Sequence, residues 1–154
     1  MSYTYRKADL SDIDLLVQLR IEFIASFGHP PSDESRVALD NYRDFLLEVM
    51  TDGSFVQWLC ELGGEVVAYG SVSFYRLPPT YGRPNGRVAY IGNMFTHPAH
   101  RRKGLAKKIL QLLVEEAKAV RCHEIRLDAS REGRPLYENF GFVNSENTMR
   151  YHQE

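Results

Sequence analysis

The stretch that decides the fold of this chain is Arg101-Arg102-Lys103-Gly104-Leu105-Ala106. It follows an apolar run that predicts a β-strand, and it precedes a strongly helical segment. The first N–H groups of a helix have no partner within the helix, and the helix dipole adds partial positive charge at the same end. A phosphate bound there satisfies both features. The sequence therefore predicts an anion site at the start of a helix.

This turn does not match two well-known phosphate-binding patterns. A P-loop requires Gly-x-x-x-x-Gly-Lys followed by Ser or Thr, and a dinucleotide-binding turn requires Gly-x-Gly-x-x-Gly. The turn has one glycine and no Ser or Thr after it. Taken alone, it is also compatible with a solvated basic helix start, or with a nucleic-acid patch in the basic run of residues 100–108. The rest of the chain supplies no matching basic surface, which disfavours nucleic acid as a partner.

The composition bounds the class of protein. The chain has 154 residues, of which 44% are hydrophobic, and a net charge of −1. These values predict one domain, residues 1–154, with a sizeable core and no overall field that attracts nucleic acid or an acidic membrane. No apolar run approaches the roughly 20 residues that span a bilayer, and the N-terminus lacks the apolar core of a signal peptide. The default expectation is a soluble cytoplasmic protein.

The cysteines do not indicate a chemical role. Cys60 and Cys122 form neither a disulfide framework nor a metal-ligand spacing, so no metal is expected. Neither cysteine has a histidine nearby in a pattern that activates a thiol nucleophile. We therefore expect both to be buried core thiols in a reducing compartment.

Hydrophobic periodicity predicts an α/β (α+β) fold with the element order β-α-α-β-β-β-α-β-α-β. The predicted strands are residues 3–7, 55–62, 66–75, 88–96, 124–129 and 148–152. The predicted helices are residues 13–27, 33–50, 104–120 and 133–140. The second helix is expected to bury a face made of Ala38, Tyr42, Phe45, Leu46 and Val49. Residues 77–87 hold three prolines and two glycines, which predicts a loop.

A second motif lies one helix and one strand beyond the turn. Residues 130–142 read Ser-Arg-Glu-Gly-Arg-Pro-Leu-Tyr-Glu-Asn-Phe-Gly-Phe. Together with Arg101-x-x-Gly104-x-Ala106 after a strand, this segment resembles motifs A and B of the GNAT (GCN5-related N-acetyltransferase) family. The resemblance covers residues 88–142 and extends to the first half only in the order of elements. It implies a central mixed, mostly antiparallel sheet flanked by helices, and acetyl-CoA as the cosubstrate.

The resemblance also implies which residues bind the cofactor. In the family, the turn and helix start hold the pyrophosphate of acetyl-CoA. The preceding strand pairs with the pantetheine amides and donates one N–H to the thioester carbonyl. The cofactor-binding residues so implied are Met94, Phe95, Thr96, Arg101, Arg102, Lys103, Gly104, Leu105, Ala106, Lys107 and Ser130. Ser130 stands where the family often has asparagine, and its shorter side chain can still donate a hydrogen bond.

The family's catalytic tyrosine falls on Tyr137. Acyl transfer from a thioester expels a thiolate, and a nearby phenol can protonate that sulfur. The alternative interpretation is a packed aromatic side chain on a short helix.

The general base is not visible in the sequence. An amine acceptor is protonated at neutral pH and must lose a proton before it attacks. Some family members carry a glutamate on the strand before the turn, and this chain has Tyr90 roughly there. Glu22, Glu61, Tyr75 and a water relay remain as alternatives.

The resemblance implies an N-acetyltransferase in which a primary amine attacks acetyl-CoA directly in a ternary complex. Acceptor contacts in this fold usually come from the first two helices and the central loops, here residues 22–27, 28–32 and 77–87. The last of these is aromatic and basic, which suits a carboxylate or phosphate on the acceptor or is simply solvated. A non-catalytic acyl-CoA sensing module is the rival function. The acceptor so implied is a small-molecule or peptide amine, and a homodimer is possible by family analogy. The resemblance leaves the identity of the acceptor and the length of the acyl group open.

Overall fold

The computed structural model describes residues 2–28, 32–145 and 147–153. Its elements are β1 (Thr4–Lys7), α1 (Ile13–Ala25), α2 (Asp33–Asp52), β2 (Phe55–Leu62), β3 (Glu65–Arg76), β4 (Arg87–Thr96), α3 (Leu105–Ala119), β5 (Glu124–Leu127) and α4 (Arg134–Phe140). Short 3-10 turns precede α1 and follow β4. The predicted α/β class is therefore confirmed, and most element bounds agree with the predicted ones to within two residues.

The five strands form one sheet in the order β1-β2-β3-β4-β5. The first four strands pair with one another in antiparallel fashion, and β5 pairs with β4 in parallel. The sheet is therefore mixed and mostly antiparallel, as predicted. A parallel neighbour requires a crossover connection, and α3 supplies it between β4 and β5.

The helices cover the two faces of the sheet and create two apolar clusters. On one face, α3 buries Ile109 and Leu113 against the strands, together with Val72. On the other face, α1 and α2 bury Leu16 and Leu46. Apolar side chains are expected on both faces of a sheet when helices cover both of those faces.

Gly70 lets α3 approach the sheet closely. A Cβ at this position would lie 2.4 Å from Met94 Sδ and 2.8 Å from Ile109 Cγ2. Any larger residue would therefore push α3 away from β3 and β4. Because α3 carries the predicted anion site at its start, Gly70 helps to set the position of that site.

The structure corrects two predictions about the helices and strands. Residues 148–152 do not form a strand, because no neighbouring strand is there to pair with them. Their side chains are exposed. The buried face of α2 is narrower than predicted, because Leu46 is buried whereas Ala38 is exposed and Phe45 is 39% exposed.

Within the described residues, none of the helices combines the length and apolarity that a membrane crossing needs.

Candidate active site

A gap opens between β4 and β5 on the side of the sheet where β4 ends. The two strands pair only from Val88 with Glu124 to Ile91 with Leu127. On its other edge β4 continues to pair with β3 as far as Thr96. A register shift in this pairing marks a bulge in β4, where Asn93 has a φ of 55°. The bulge bends β4, so its last residues diverge from β5 and leave one backbone edge open.

A cavity of about 870 Å³ occupies this gap. Its lining consists of Phe23, Ser26, Phe27, Met94, Phe95, Thr96, His100, Arg101, Arg102, Gly104, Leu105, Ala106, Lys107, Ser130, Glu132, Gly133, Leu136 and Tyr137. The cavity therefore brings together Tyr137 and the predicted cofactor-binding residues, with Lys103 as the exception. Lys103 is exposed and lies outside the lining, because the turn directs this side chain to solvent.

The start of α3 presents free backbone donors to the cavity. Gly104 is the N-cap residue, and it makes no side-chain capping bond. The backbone N–H of Lys108 bonds to Gly104 O, so the N–H groups of the three preceding residues have no partner within the helix. Three N–H groups and the positive end of the helix dipole therefore face the same space.

The backbone of the turn has an unusual conformation that glycine makes possible. Gly104 has a φ of 80° and Arg102 a φ of 64°, both in the left-handed region. Arg101 Nε donates to Thr96 O at 3.1 Å, which ties the turn to the end of β4. One donor of the Arg101 guanidinium is thus used within the protein, and its charge remains beside the cavity.

Tyr137 of α4 lines the cavity and is almost buried, with 8% of its surface exposed. Its ring packs edge-to-face on Phe142 at a centroid distance of 6.1 Å. A Cβ at Gly133 would lie 3.1 Å from Tyr137 Cε2, so glycine there leaves room for the ring. Burial raises the pKa of Tyr137 above its usual value of about 10. The phenol is therefore protonated at neutral pH and can act as a proton donor.

Ser130 and Glu132 belong to the turn that precedes α4, and both line the cavity. Ser130 Oγ accepts a hydrogen bond from Gly133 N at 3.1 Å, which leaves the hydroxyl proton available for a ligand. Sequence reasoning missed Glu132 as a lining residue, although it lies within the second motif. Its position in the short turn between Ser130 and Gly133, which both line the cavity, is the feature that could have indicated it.

The three side chains that were candidates for the general base line neither this cavity nor the smaller one described below. Glu61 is paired with Arg6 at 2.6 Å, and Tyr75 is exposed on β3. Glu22 is exposed on α1 outside the lining residues. A water relay is the alternative that remains from the sequence analysis.

A second cavity of about 220 Å³ lies on the face of the sheet that α1 and α2 cover. Its lining consists of Arg20, Tyr42, Phe45, Phe55, Ser71, Ser73, Tyr90, Gly92 and Asn93. Asn93 is adjacent to Met94 of the larger cavity, and Arg20 is one helical turn before Phe23 of that cavity. The two cavities are therefore lined by neighbouring residues of β4 and of α1.

A chain of hydrogen bonds holds this bulge. Arg20 Nη1 donates to Asn93 Oδ1, Asn93 Nδ2 donates to Ser71 Oγ at 3.1 Å, and Ser71 Oγ donates to Gly92 O at 3.2 Å. The chain orients the Asn93 amide, and it connects α1 to β3 and β4. No pattern in the sequence pointed to this contact, because the two ends of the first bond are 73 positions apart.

Tyr90, which stands where a family base is sometimes found, is not suited to that role. Its hydroxyl donates to Asp128 Oδ2 at 2.6 Å. Burial, and next the bond to Asp128, raise the pKa of Tyr90 to about 12. Hydrogen bonds from Tyr90 and Arg150 lower the pKa of Asp128. Tyr90 therefore keeps its proton at neutral pH, and Asp128 binds one only weakly.

Other expected features have structural roles or stay predictions. In the 77–87 loop, Arg83 pairs with Glu124 at 3.2 Å and Arg87 donates to Val120 O at 2.7 Å, and this loop lines neither cavity. Residues 29–31 of the expected acceptor turn lie outside the described residues.

Cys60 and Cys122 are buried as predicted, and burial raises both thiol pKa values. The described residues include no metal-binding group of His, Cys, Asp and Glu, and catalysis without metal stays a prediction.

The chain is similar to known proteins in both sequence and structure. The model of the acetyltransferase (GNAT) family matches residues 16–142. The uncharacterized N-acetyltransferase YjgM of Escherichia coli (strain K12) is 28% identical over 140 residues, which cover 89% of this chain and 80% of that protein. A glucosamine 6-phosphate N-acetyltransferase of Trypanosoma brucei brucei is 32% identical over 53% of this chain, and the match spans only 54% of that protein. A predicted acetyltransferase from Clostridium acetobutylicum, solved with acetyl-CoA, is 34% identical with a TM-score of 0.90, over 98% of this chain and 96% of that one.

Proposed function

Since this chain belongs to the acetyltransferase (GNAT) family and is an N-acetyltransferase, we propose that it moves an acetyl group from acetyl-CoA to a primary amine by direct attack in a ternary complex. The observation that carries the proposal is the 870 Å³ cavity, because its lining joins the start of α3, the open edge of β4 and Tyr137. The proposed phosphate site, thioester site and proton donor thus line one cavity.

The chemistry of the lining fits the cosubstrate. The free N–H groups at the start of α3 suit the pyrophosphate, and Arg101, Arg102 and Lys107 add positive charge around it. Acetyl-CoA, when bound, supplies an activated acyl carbon and a thiolate leaving group. We propose that the Ser130 hydroxyl donates to the pantetheine arm, because its proton is not used within the turn.

The end of β4 supports a role in polarising the thioester. His97 N donates to Val67 O of the neighbouring segment at 2.8 Å. Backbone N–H groups alternate in direction along a paired strand. Those of Met94 and Thr96 therefore point to the gap, where one of them stabilises the negative charge that develops on the carbonyl oxygen.

Tyr137 is the proposed proton donor to the departing sulfur. A thiol has an ordinary pKa of about 8.5, and the pKa of Tyr137 is raised above 10 by burial. The phenol therefore stays protonated at neutral pH, and it can donate a hydrogen bond to the sulfur as the carbon–sulfur bond breaks and negative charge develops there. We propose that the ammonium proton of the acceptor leaves through water rather than through Glu22, Glu61 or Tyr75, because none of these three side chains lines either cavity.

The proposal is tested by thiol release from acetyl-CoA with a panel of primary amines, with the acetylated product identified by mass. Direct attack predicts release that depends on the amine and initial-rate lines that intersect when both substrates are varied. Parallel lines would indicate an acyl-enzyme instead. CoA binding without amine-dependent release from any member of the panel would favour the sensing module.

A further inference from the structure

Arg20 projects from α1 into the smaller cavity, between two aromatic rings. Its guanidinium carbon lies 5.2 Å from the ring centroid of Phe23 and 5.2 Å from that of Tyr42. One N–H of the group is bonded to Asn93 Oδ1. The guanidinium is thus held in a defined place by two cation–π contacts and one hydrogen bond.

The charge of Arg20 has no acidic partner in the part of the chain that the structure describes. No carboxylate there lies within salt-bridge distance of it, whereas Arg43 on the neighbouring helix pairs with Asp14 at 2.6 Å. A guanidinium has five N–H donors and stays charged at any physiological pH. Most donors of a half-buried, immobilised cation are therefore left for a ligand.

The position of Arg20 relates it to the reacting atoms. Its partner Asn93 is adjacent to Met94 on β4, and the N–H groups proposed to polarise the thioester are those of Met94 and Thr96. Because the Arg20 guanidinium is bonded to the Asn93 side chain, a group bound at Arg20 would lie beside the bulge that precedes these N–H groups. Ser73 lines the same cavity and adds a polar side chain.

We propose that Arg20 binds an acidic group, a carboxylate or a phosphate, on the amine acceptor. Both groups accept two parallel hydrogen bonds from a guanidinium. This inference rests on the proposed function, because it concerns the acceptor of that same reaction. The acceptor class is then an amine with an anionic group several bonds from the nitrogen.

The test uses pairs of amines that differ in one charge. The pairs are β-alanine with β-alaninamide, 2-aminoethyl phosphate with ethanolamine, and glucosamine 6-phosphate with glucosamine. For each pair, kcat/KM is measured by thiol release, and binding to the CoA-loaded protein is measured by calorimetry. A charge-assisted bidentate contact predicts a preference for the anionic member on the order of 10- to 100-fold in at least one pair. The first pair reports a carboxylate and the other two report a phosphate.

Variants assign the preference to Arg20. Arg20→Gln removes the charge and keeps an amide donor for Asn93, and it should abolish most of the preference through KM. Arg20→Lys keeps the charge and loses the planar fork, so it should retain part of the preference. Arg36→Gln on the exposed surface of α2 removes an arginine that lines neither cavity, and it should change nothing. Thermal unfolding of each variant checks that the fold is kept.

The outcomes separate this inference from the proposed function. Amine-dependent acetylation without preference for the anionic member of any pair overturns the inference and leaves the function standing. The same holds for a preference that survives in Arg20→Gln. Absence of acetylation overturns the function, and the binding measurements then decide about Arg20 on their own.

Discussion

Gly104 offers a sharp test, because its effects on stability and on CoA binding can be separated. Alanine at a φ of 80° in the left-handed region costs about 1–2 kcal/mol. Restriction of the unfolded chain returns roughly 0.4–1 kcal/mol. No heavy atom lies within 4 Å of the added Cβ, so a clash adds nothing. Gly104→Ala should therefore lose about 1 kcal/mol of unfolding free energy, which lowers Tm by roughly 2–4 °C at this length.

Gly53 is a matched control for this change. It has φ 80° and ψ 7°, against 80° and 9° for Gly104, and a Cβ there also meets no heavy atom within 4 Å. It ends α2 and lines neither cavity. Gly53→Ala should therefore lower Tm by the same amount as Gly104→Ala, since the backbone strain is the same.

Only Gly104→Ala should weaken CoA binding. Its new methyl group would stand at the start of α3, where the pyrophosphate must approach the free N–H groups. A tenfold increase in Kd, equivalent to about 1.4 kcal/mol, is the expected size by calorimetry. Gly53→Ala should bind CoA within about twofold of the unchanged protein. Equal CoA affinity for the two variants would refute the proposed pyrophosphate site, and very different Tm losses would refute the strain argument.

Three further predictions follow from the site. Tyr137→Phe should lower kcat by about 10²-fold or more and leave the Kd of CoA nearly unchanged. An unchanged rate constant in single-turnover measurements, where chemistry limits the rate, would remove the proton-donor role. Lys107→Ala should raise the Kd of CoA severalfold, whereas Lys103→Ala should not, because only the first side chain lines the cavity; equal effects in calorimetry would contradict this geometry. The lowered pKa of Asp128 stabilises the fold above its unfolded value of 3.8, and this stability is lost as pH falls through the folded value. Tyr90→Phe removes the first cause of that shift, so urea unfolding of the variant should depend less steeply on pH on the acid side, and an identical slope would count against the bond.

The elements that sequence reasoning predicted well are those whose pattern is local. The apolar stripe of α3 and the terminating Gly141 after α4 depend on residues within a turn or two of one another. The hairpin between β2 and β3 likewise follows from Gly63 and Gly64, both of which have positive φ. The mixed, mostly antiparallel sheet came from the resemblance and is confirmed by the pairing.

The errors arose where an apolar pattern is not matched by enough neighbours to bury it. Phe45 packs edge-to-face on Phe55 of β2 at a centroid distance of 5.6 Å, yet it stays 39% exposed at the edge of the contact, whereas Leu46 is fully buried. Residues 148–152 alternate like a strand, but a strand is stable only when another strand accepts its hydrogen bonds. A sequence pattern reports what a segment can bury, and it does not report whether a partner is present.

By itself, the sequence determined the chemistry of the turn at Gly104 and the motif that carries Tyr137, because both depend on short spacings along the chain. Only the tertiary structure decided that these two motifs face one cavity across the gap between β4 and β5, and that Lys103 points out of it. It also brought Arg20 to Asn93. The physical reason is the bulge in β4: one extra residue shifts the register and turns the following side chains to the other face. Such a shift depends on the pairing of whole strands, and no local pattern of residues contains it.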